Sequence, residues 1–181
     1  MIQIRRATFK DADFIAETYR PFVEDHWASF ELTPPSAETI SARMDAAGDQ
    51  YPWLIAEDRK PLAYAYASPH RSRLAYQTSV DTAIYCAAAA RGKGVGKALY
   101  KKLIEVLTAQ NYVMAFGGIA MPNEASIGLH RSVGFEQVGT YKNVGYKDGA
   151  WRDTTWWAIP LAEPQAPPAP IQPVSAVLSI G

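Results

Sequence analysis

Apolar and polar positions alternate over residues 2–6, the period of a half-buried strand. Two stretches of helical character follow at 11–19 and 36–47, separated by an aromatic-rich passage over 22–30 that closes at Pro34-Pro35. Ser36 supplies an N-cap for the second helix, with Glu38 behind it. Strand patterns return at 52–57, 62–68 and 78–86. The clearest helix is 94–109, where Val95, Leu99, Leu103 and Val106 share one face and Lys97, Lys101 and Glu105 the other. A strand at 112–119, a helix at 124–133 and long strands at 135–147 and 150–159 complete the pattern. Asp148-Gly149, between the last two, is a hairpin signal. From Pro160 the composition turns to Pro, Ala and Gln, which predicts a domain at 1–161 followed by a flexible tail at 162–181. This order predicts one α/β domain on a mixed sheet.

With 181 residues and 48% hydrophobic side chains, the chain can bury a full core and is too apolar for disorder. Its 18 basic and 18 acidic residues balance, which argues against nucleic acid or a membrane surface as partners. Cys86 is the single cysteine, so no intramolecular disulfide forms, in keeping with a reducing cytosol. No apolar signal segment follows the first strand, and no apolar run approaches the ~20 residues of a membrane span. A soluble, cytoplasmic protein is expected, with no metal.

Charge is balanced overall but not locally. Arg91, Lys93, Lys97, Lys101 and Lys102 fall together, with no acid before Glu105. They surround the turn Arg91-Gly92-Lys93-Gly94-Val95-Gly96-Lys97, where a strand ends and the 94–109 helix opens. Glycines there admit an anion to the backbone, and the free N–H groups at a helix start hold it. A P-loop does not fit, because Arg91 and Ala98 stand where Gly and Ser/Thr are needed. Dinucleotide fingerprints starting at Gly92 or Gly94 fail at Lys97 and Leu99. Arg-x-x-Gly-x-Gly, through Arg91, Gly94 and Gly96, fits throughout and resembles the coenzyme A pyrophosphate loop of the GNAT acetyltransferases. Downstream, Asn123 precedes a helix and His130 lies two turns further on the same face. This is similar to the GNAT pairing of a pantetheine-binding Asn with a proton donor near the CoA sulfur, a position often held by Tyr. Asn123 is equally a good N-cap, and a lone helical His is commonly structural.

Several further stretches resemble the phosphinothricin N-acetyltransferase branch of that superfamily: Phe30-Glu31-Leu32-Thr33-Pro34-Pro35, Ala75-Tyr76-Gln77-Thr78, Met121-Pro122-Asn123-Glu124-Ala125-Ser126 and Leu129-His130. The most specific is Gly145-x-Lys147-x-Gly149-x-Trp151-x-Asp153, and the likeness runs from about residue 2 to 160. It implies a GNAT fold with a mixed, mostly antiparallel sheet flanked by helices, acetyl-CoA as cofactor, and a homodimer. It also implies transfer of acetyl to the α-amine of an amino-acid-like acceptor of the phosphinothricin, methionine sulfone or methionine sulfoximine type. By position, Tyr85, Cys86, Arg91, Gly92, Lys93, Gly94, Val95, Gly96, Lys97, Asn123 and Ser126 would hold the cofactor. Arg73 and Tyr76 match the clamp on the acceptor's carboxylate, Arg71 and His70 add cationic character beside them, and Phe30 matches a pocket aromatic. The family's proposed base is a Glu on the strand before the loop; Asp81 stands there, one methylene shorter, and would act through water. Tyr85 shares that strand face by alternation and joins Asp81 and His130 as a catalytic candidate. His130 would protonate the thiolate or join a relay, and backbone N–H groups near 84–86 would polarise the thioester. Cys86 has no identified base beside it to make it an acyl carrier. Two rivals remain at this stage: a GNAT enzyme acting on a polyamine, aminoglycoside or protein N-terminus, and a non-catalytic acyl-CoA-binding domain.

Overall fold

Residues 2–178 are described by a computed structural model. In chain order the main elements are β1 (Gln3–Arg6), α1 (Ala12–Glu24), α2 (Ala37–Ala47), β2 (Trp53–Asp58), β3 (Lys60–Pro69), β4 (Ser79–Cys86), α3 (Val95–Ala109), β5 (Met114–Ala120), α4 (Glu124–Ser132), β6 (Glu136–Lys147), β7 (Ala150–Pro160) and a single-turn α5 (Val174–Val177). The strands form one sheet in the order β1-β2-β3-β4-β5-β7-β6. Only the β4–β5 pair is parallel. A mixed, mostly antiparallel sheet is therefore what the chain builds.

Alternation along the central strands divides the interior into two halves. Leu54, Ala56, Ala63, Ala65 and Val80 face α3, whose Val95, Leu99, Leu103 and Val106 are all buried on the face expected from the sequence. Trp53, Ile55 and Tyr64 face the other way, against Ile15, Tyr19 and Val23 of α1 and Ile40 and Met44 of α2. Helix α2 begins as expected, with Ser36 Oγ accepting from Thr39 N at 3.1 Å. Helix α1 runs further than its periodicity indicated, past Pro21 to Glu24. Proline sacrifices one helical hydrogen bond there, and the packing of Val23 in the core carries the helix across the break.

The C-terminal segment differs from expectation. Residues 162–168 are exposed, but 170–178 are docked: Val174 is fully buried, and Val174 N donates to Asp49 O at 2.7 Å. Gln110 Nε2 donates to Gln172 O at 2.8 Å, Asn111 Nδ2 to Pro170 O at 2.8 Å, and Ser175 bonds Asp49. Proline-rich chain needs no regular structure to dock, because its few free donors and acceptors find partners on the 49–50 and 110–111 turns. Residues 179–181, the end of the expected tail, lie outside the described residues.

The β6–β7 hairpin turns at Asp148 and Gly149, both with positive φ (52° and 73°), as a two-residue hairpin requires. Just before the turn, Lys147 points inward and is only 5% exposed. Its ammonium donates to Val23 O (2.7 Å), His26 O (3.0 Å), Ser29 O (2.7 Å) and Glu31 O (3.0 Å). One side chain thus closes the whole passage between α1 and α2. Further along the hairpin, Asp153 accepts from Asn143 N at 2.9 Å and from Lys142 Nζ at 2.7 Å, which fixes the irregular stretch between Tyr141 and Gly145. Lys147→Met keeps an apolar stem but leaves four carbonyls without their donor. We expect it to lower stability by about 3 kcal/mol, measured from the shift in urea midpoint at unchanged slope; an unshifted midpoint would show that the cage does not hold the loop.

Candidate active site

The parallel pair β4–β5 makes a gap. Ser79, Val80 and Asp81 pair with Met114, Ala115 and Phe116, and pairing stops there. Beyond that point β4 continues against β3 as far as Cys86, and β5 against β7 as far as Ala120. Residues 82–86 and 117–120 therefore diverge and present unpaired backbone edges to each other, which in a sheet interior calls for a ligand or solvent. Thr82 closes the apex of this wedge, donating from Oγ1 to Phe116 O at 2.9 Å.

The wedge opens toward the glycine turn at 91–97. Gly92 and Gly94 both take left-handed backbone (φ 73° and 76°), and a Cβ on either would meet no atom within 4 Å. The first bond of α3 runs from Ala98 N to Gly94 O, so the N–H groups of Val95, Gly96 and Lys97 precede the helical ladder and are free for an anion. Gly96 is needed for a different reason: a Cβ there would stand 3.1 Å from Cys86 Sγ. Arg91, Lys93 and Lys97 are exposed around the turn, with the Arg91 guanidinium 5.4 Å from the Phe22 ring centre. A pyrophosphate fits this cradle by charge, donors and space. Cys86 is half-buried, and burial pushes its thiol up, away from the thiolate.

On the opposite side of β5, Asn123 caps α4, its Oδ1 accepting from Ser126 N at 3.1 Å. His130 is 5% exposed, and burial pushes its pKa down, so the ring is neutral. Its Nδ1–H donates to Ser126 O at 2.8 Å, leaving Nε2 to accept from the Tyr100 hydroxyl at 3.0 Å. Tyr100 OH in turn lies 2.7 Å from Thr82 Oγ1. The ring fills the space over Gly117, where a Cβ would meet Nε2 at 2.6 Å. His130 thus reaches the apex of the wedge only through Tyr100 and Thr82, neither of which the sequence had singled out.

The other sheet face, toward the α1–α2 passage, carries Asp81. Its Oδ1 lies 2.6 Å from His70 Nδ1. Burial raises the Asp81 pKa, with the His70 hydrogen bond and charge and then Arg71 opposing that rise. His70 stacks on Phe116 at 4.2 Å between ring centres, with the Tyr76 ring 6.0 Å and the Trp156 ring 6.3 Å away. Arg71 lies over Trp156 at 5.8 Å. Arg73 is exposed on the same loop and forms no ion pair among the described residues, so the structure does not by itself bring it to Asp81. Phe30 is lodged against Gly145, where a Cβ would come within 2.4 Å of its ring. Trp27, three residues earlier, donates from Nε1 to Pro122 O at 2.9 Å and has Arg152 stacked 4.1 Å from its ring centre.

Tyr85 needs a correction. It does share the Asp81 face, but its ring is packed edge-on against Tyr19 (4.8 Å) and Phe22 (5.1 Å) and beside Tyr64 (5.3 Å). Burial drives its phenol far above the usual range. The side chain is a packing element, unsuited to moving protons; its backbone still borders the wedge.

With this geometry in place the comparisons with known proteins are decisive. The profile of the acetyltransferase (GNAT) domain matches residues 4–156. The chain belongs to the GNAT acetyltransferase family. It is similar to phosphinothricin N-acetyltransferase of Streptomyces coelicolor, 36% identical over 165 residues that cover 88% of this chain and 96% of that one. It is also similar to the L-methionine sulfoximine/L-methionine sulfone acetyltransferase of Pseudomonas aeruginosa, 34% identical over 168 residues, covering 91% of this chain and 98% of that protein. The crystal structure of a GNAT superfamily phosphinothricin acetyltransferase from Sinorhizobium meliloti in complex with AcCoA superposes with a TM-score of 0.86 at 37% identity, covering 97% of this chain and 95% of that one. Within this GNAT domain the turn at 91–97 has the positive charge and free N–H groups that an anion would need. Gly94→Val would both strain the left-handed backbone and fill its open side. We expect acetyl-CoA affinity to fall at least ~10-fold by calorimetry; unchanged affinity would remove the turn from the pyrophosphate site.

Proposed function

We propose that this GNAT protein is an acetyl-CoA-dependent N-acetyltransferase acting on the α-amine of a small amino-acid-like acceptor. The observation that carries the reading is the β4–β5 wedge: it opens on the cationic turn at one end and has Asp81 beside its apex. When bound, acetyl-CoA supplies the activated acetyl group as a thioester. The cradle of 91–97 holds its pyrophosphate, and the unpaired edges of 82–86 and 117–120, with Asn123 and Ser126, are placed to bind its pantetheine arm. Backbone N–H groups along 84–86 polarise the thioester carbonyl. An α-ammonium is not nucleophilic, so Asp81 and the group it touches must remove a proton before attack. On the sulfur side the hydroxyls of Thr82 and Tyr100 are the proton carriers nearest the apex, and His130, whose Nε2 accepts from Tyr100, orients that pair.

The acceptor class follows from the loop beside Asp81. Arg71, Arg73 and Tyr76 offer cationic and hydroxyl donors for a carboxylate, which a polyamine or aminoglycoside would not want. Phe116 and Trp156 flank His70 there, and Phe30 packs against Gly145. The activities named for the Streptomyces and Pseudomonas relatives support phosphinothricin, methionine sulfone and methionine sulfoximine as acceptors. We further infer a homodimer in the cytoplasm. The dimer is supported by the edge position of β6 and the exposed Val138, Tyr141, Val144, Tyr146 and Trp151 on its hairpin. The cytoplasmic placement is supported by the single cysteine.

The decisive experiment compares methionine sulfone with its decarboxylated amine, in wild type and in Arg71→Ala and Arg73→Ala. Wild type should prefer the amino acid by at least ~100-fold in kcat/KM, a preference the arginine variants mostly lose. Equal rates on both compounds would end the amino-acid assignment while leaving acetyl transfer standing. Gly145→Ala tests the pocket separately. Forcing the Phe30 ring aside should raise the acceptor KM about tenfold, with acetyl-CoA affinity unchanged.

A further inference from the structure

The Asp81 carboxylate does not face the acceptor alone. Its Oδ1 is 2.6 Å from His70 Nδ1, and the two groups are 28% and 12% exposed at the side chain. The antiparallel register of β3 and β4 sets Ser68 opposite Asp81, so His70, just past the end of β3, lies diagonally across from the carboxylate. Its ring is then fixed by stacking on Phe116, the residue that makes the last β4–β5 pair. His70 is therefore anchored over the apex of the wedge from two sides. A carboxylate can only accept, so the hydrogen in the short contact sits on Nδ1 whenever Asp81 is ionised. That leaves the lone pair on Nε2, to which no described residue donates or accepts.

We propose that His70 is a catalytic residue of the acetyl transfer, its Nε2 taking the proton from the acceptor's ammonium while Asp81 holds the imidazole in the Nδ1–H form. The inference rests on the acetyltransferase reading above and names the group that does the base work within it. Asp81 has a short side chain with one oxygen engaged on Nδ1; the imidazole carries its basic lone pair on Nε2, across the ring from that contact. One N–H bond of the ammonium breaks, its electron pair stays on nitrogen, and the proton bonds to Nε2. The nitrogen then forms the new C–N bond as the thioester C–S bond breaks. The second proton shed by nitrogen equals the one the thiolate gains, and the first leaves His70 for solvent. Around the ring, Asp81 comes from β4, Phe116 from β5, Trp156 from β7, and Tyr76 and Arg71 from the loop of His70 itself. Arg71 donates to the His70 carbonyl at 2.7 Å, which holds the segment in place.

The test has two arms. The first is kinetic: His70→Phe preserves a flat ring over Phe116 but removes the base. It should lower kcat/KM for methionine sulfone by at least ~100-fold, displace the acid limb of the pH profile, and leave acetyl-CoA affinity within about twofold. The second arm needs no acyl donor. With only three histidines in the chain, imidazole ¹⁵N shifts can be assigned by substitution. Above the acid limb, His70 should carry its proton on Nδ1, and Asp81→Asn should shift that tautomer balance. A His70→Phe enzyme with near-wild-type rate and an unmoved acid limb would overturn the proposal, as would an Nε2-protonated His70 or a tautomer indifferent to Asp81→Asn. If wild type acetylates no amino acid, the amino-acid acceptor reading itself fails and the base role argued for that acceptor with it. That outcome is distinct from an active wild type whose His70 is dispensable.

Discussion

Two parallel strands that hydrogen-bond for three residues and then part are the constraint on which the rest of this molecule depends. A sheet interior normally leaves no main-chain edge unpaired, because a buried N–H or C=O without a partner is costly. Here the edges of 82–86 and 117–120 are left open, and each flank is stabilised from its other side, by β3 and by β7. The wedge thus does not collapse, and its apex is tied by the Thr82 hydroxyl rather than by another rung of the ladder. The chemistry is arranged about that apex in two layers. Asp81 and His70 lie on the α1–α2 side; Thr82, Tyr100 and His130 lie on the α3–α4 side. Two separate hydrogen-bonded clusters thus lie on opposite faces of one sheet.

The second organising contact is the Lys147 ammonium in its cage of four carbonyls. A buried cation is expensive unless its donors are used, and backbone oxygens satisfy it without a competing negative charge. The hairpin motif Gly145-x-Lys147-x-Gly149-x-Trp151-x-Asp153 reads in three dimensions as a brace for the passage between α1 and α2. Gly145 admits the Phe30 ring, Lys147 gathers the loop, Gly149 makes the turn, and Asp153 fixes the irregular strand beside it.

Much of this was legible in the chain and some was not, for identifiable reasons. Helix α3 announces itself because its apolar stripe has a single period, and the glycine turn before it because left-handed backbone favours glycine. The wedge leaves no trace in the pattern, since β4 and β5 alternate in the same way whether or not they are paired along their full length. Lys147 was visible as part of a motif but not as a buried group, since lysine normally marks a solvated position. His70 was visible as a cation next to Arg71; only the strand register turns it toward Asp81. The docking of residues 170–178 was hidden by a composition usual for linkers, because its anchors are a single apolar side chain, Val174, and backbone groups that any residue supplies.

The cationic turn has a consequence beyond the cradle it forms. The molecule is neutral as a whole, yet residues 91–102 contain five bases and no acid, so the remainder carries a matching acidic excess. Positive charge is thus concentrated locally at the turn, and its field draws in an approaching polyanion. Over distances longer than the ~8 Å screening length of physiological salt, that field fades. Binding of any anion at this turn is accordingly the step most sensitive to ionic strength.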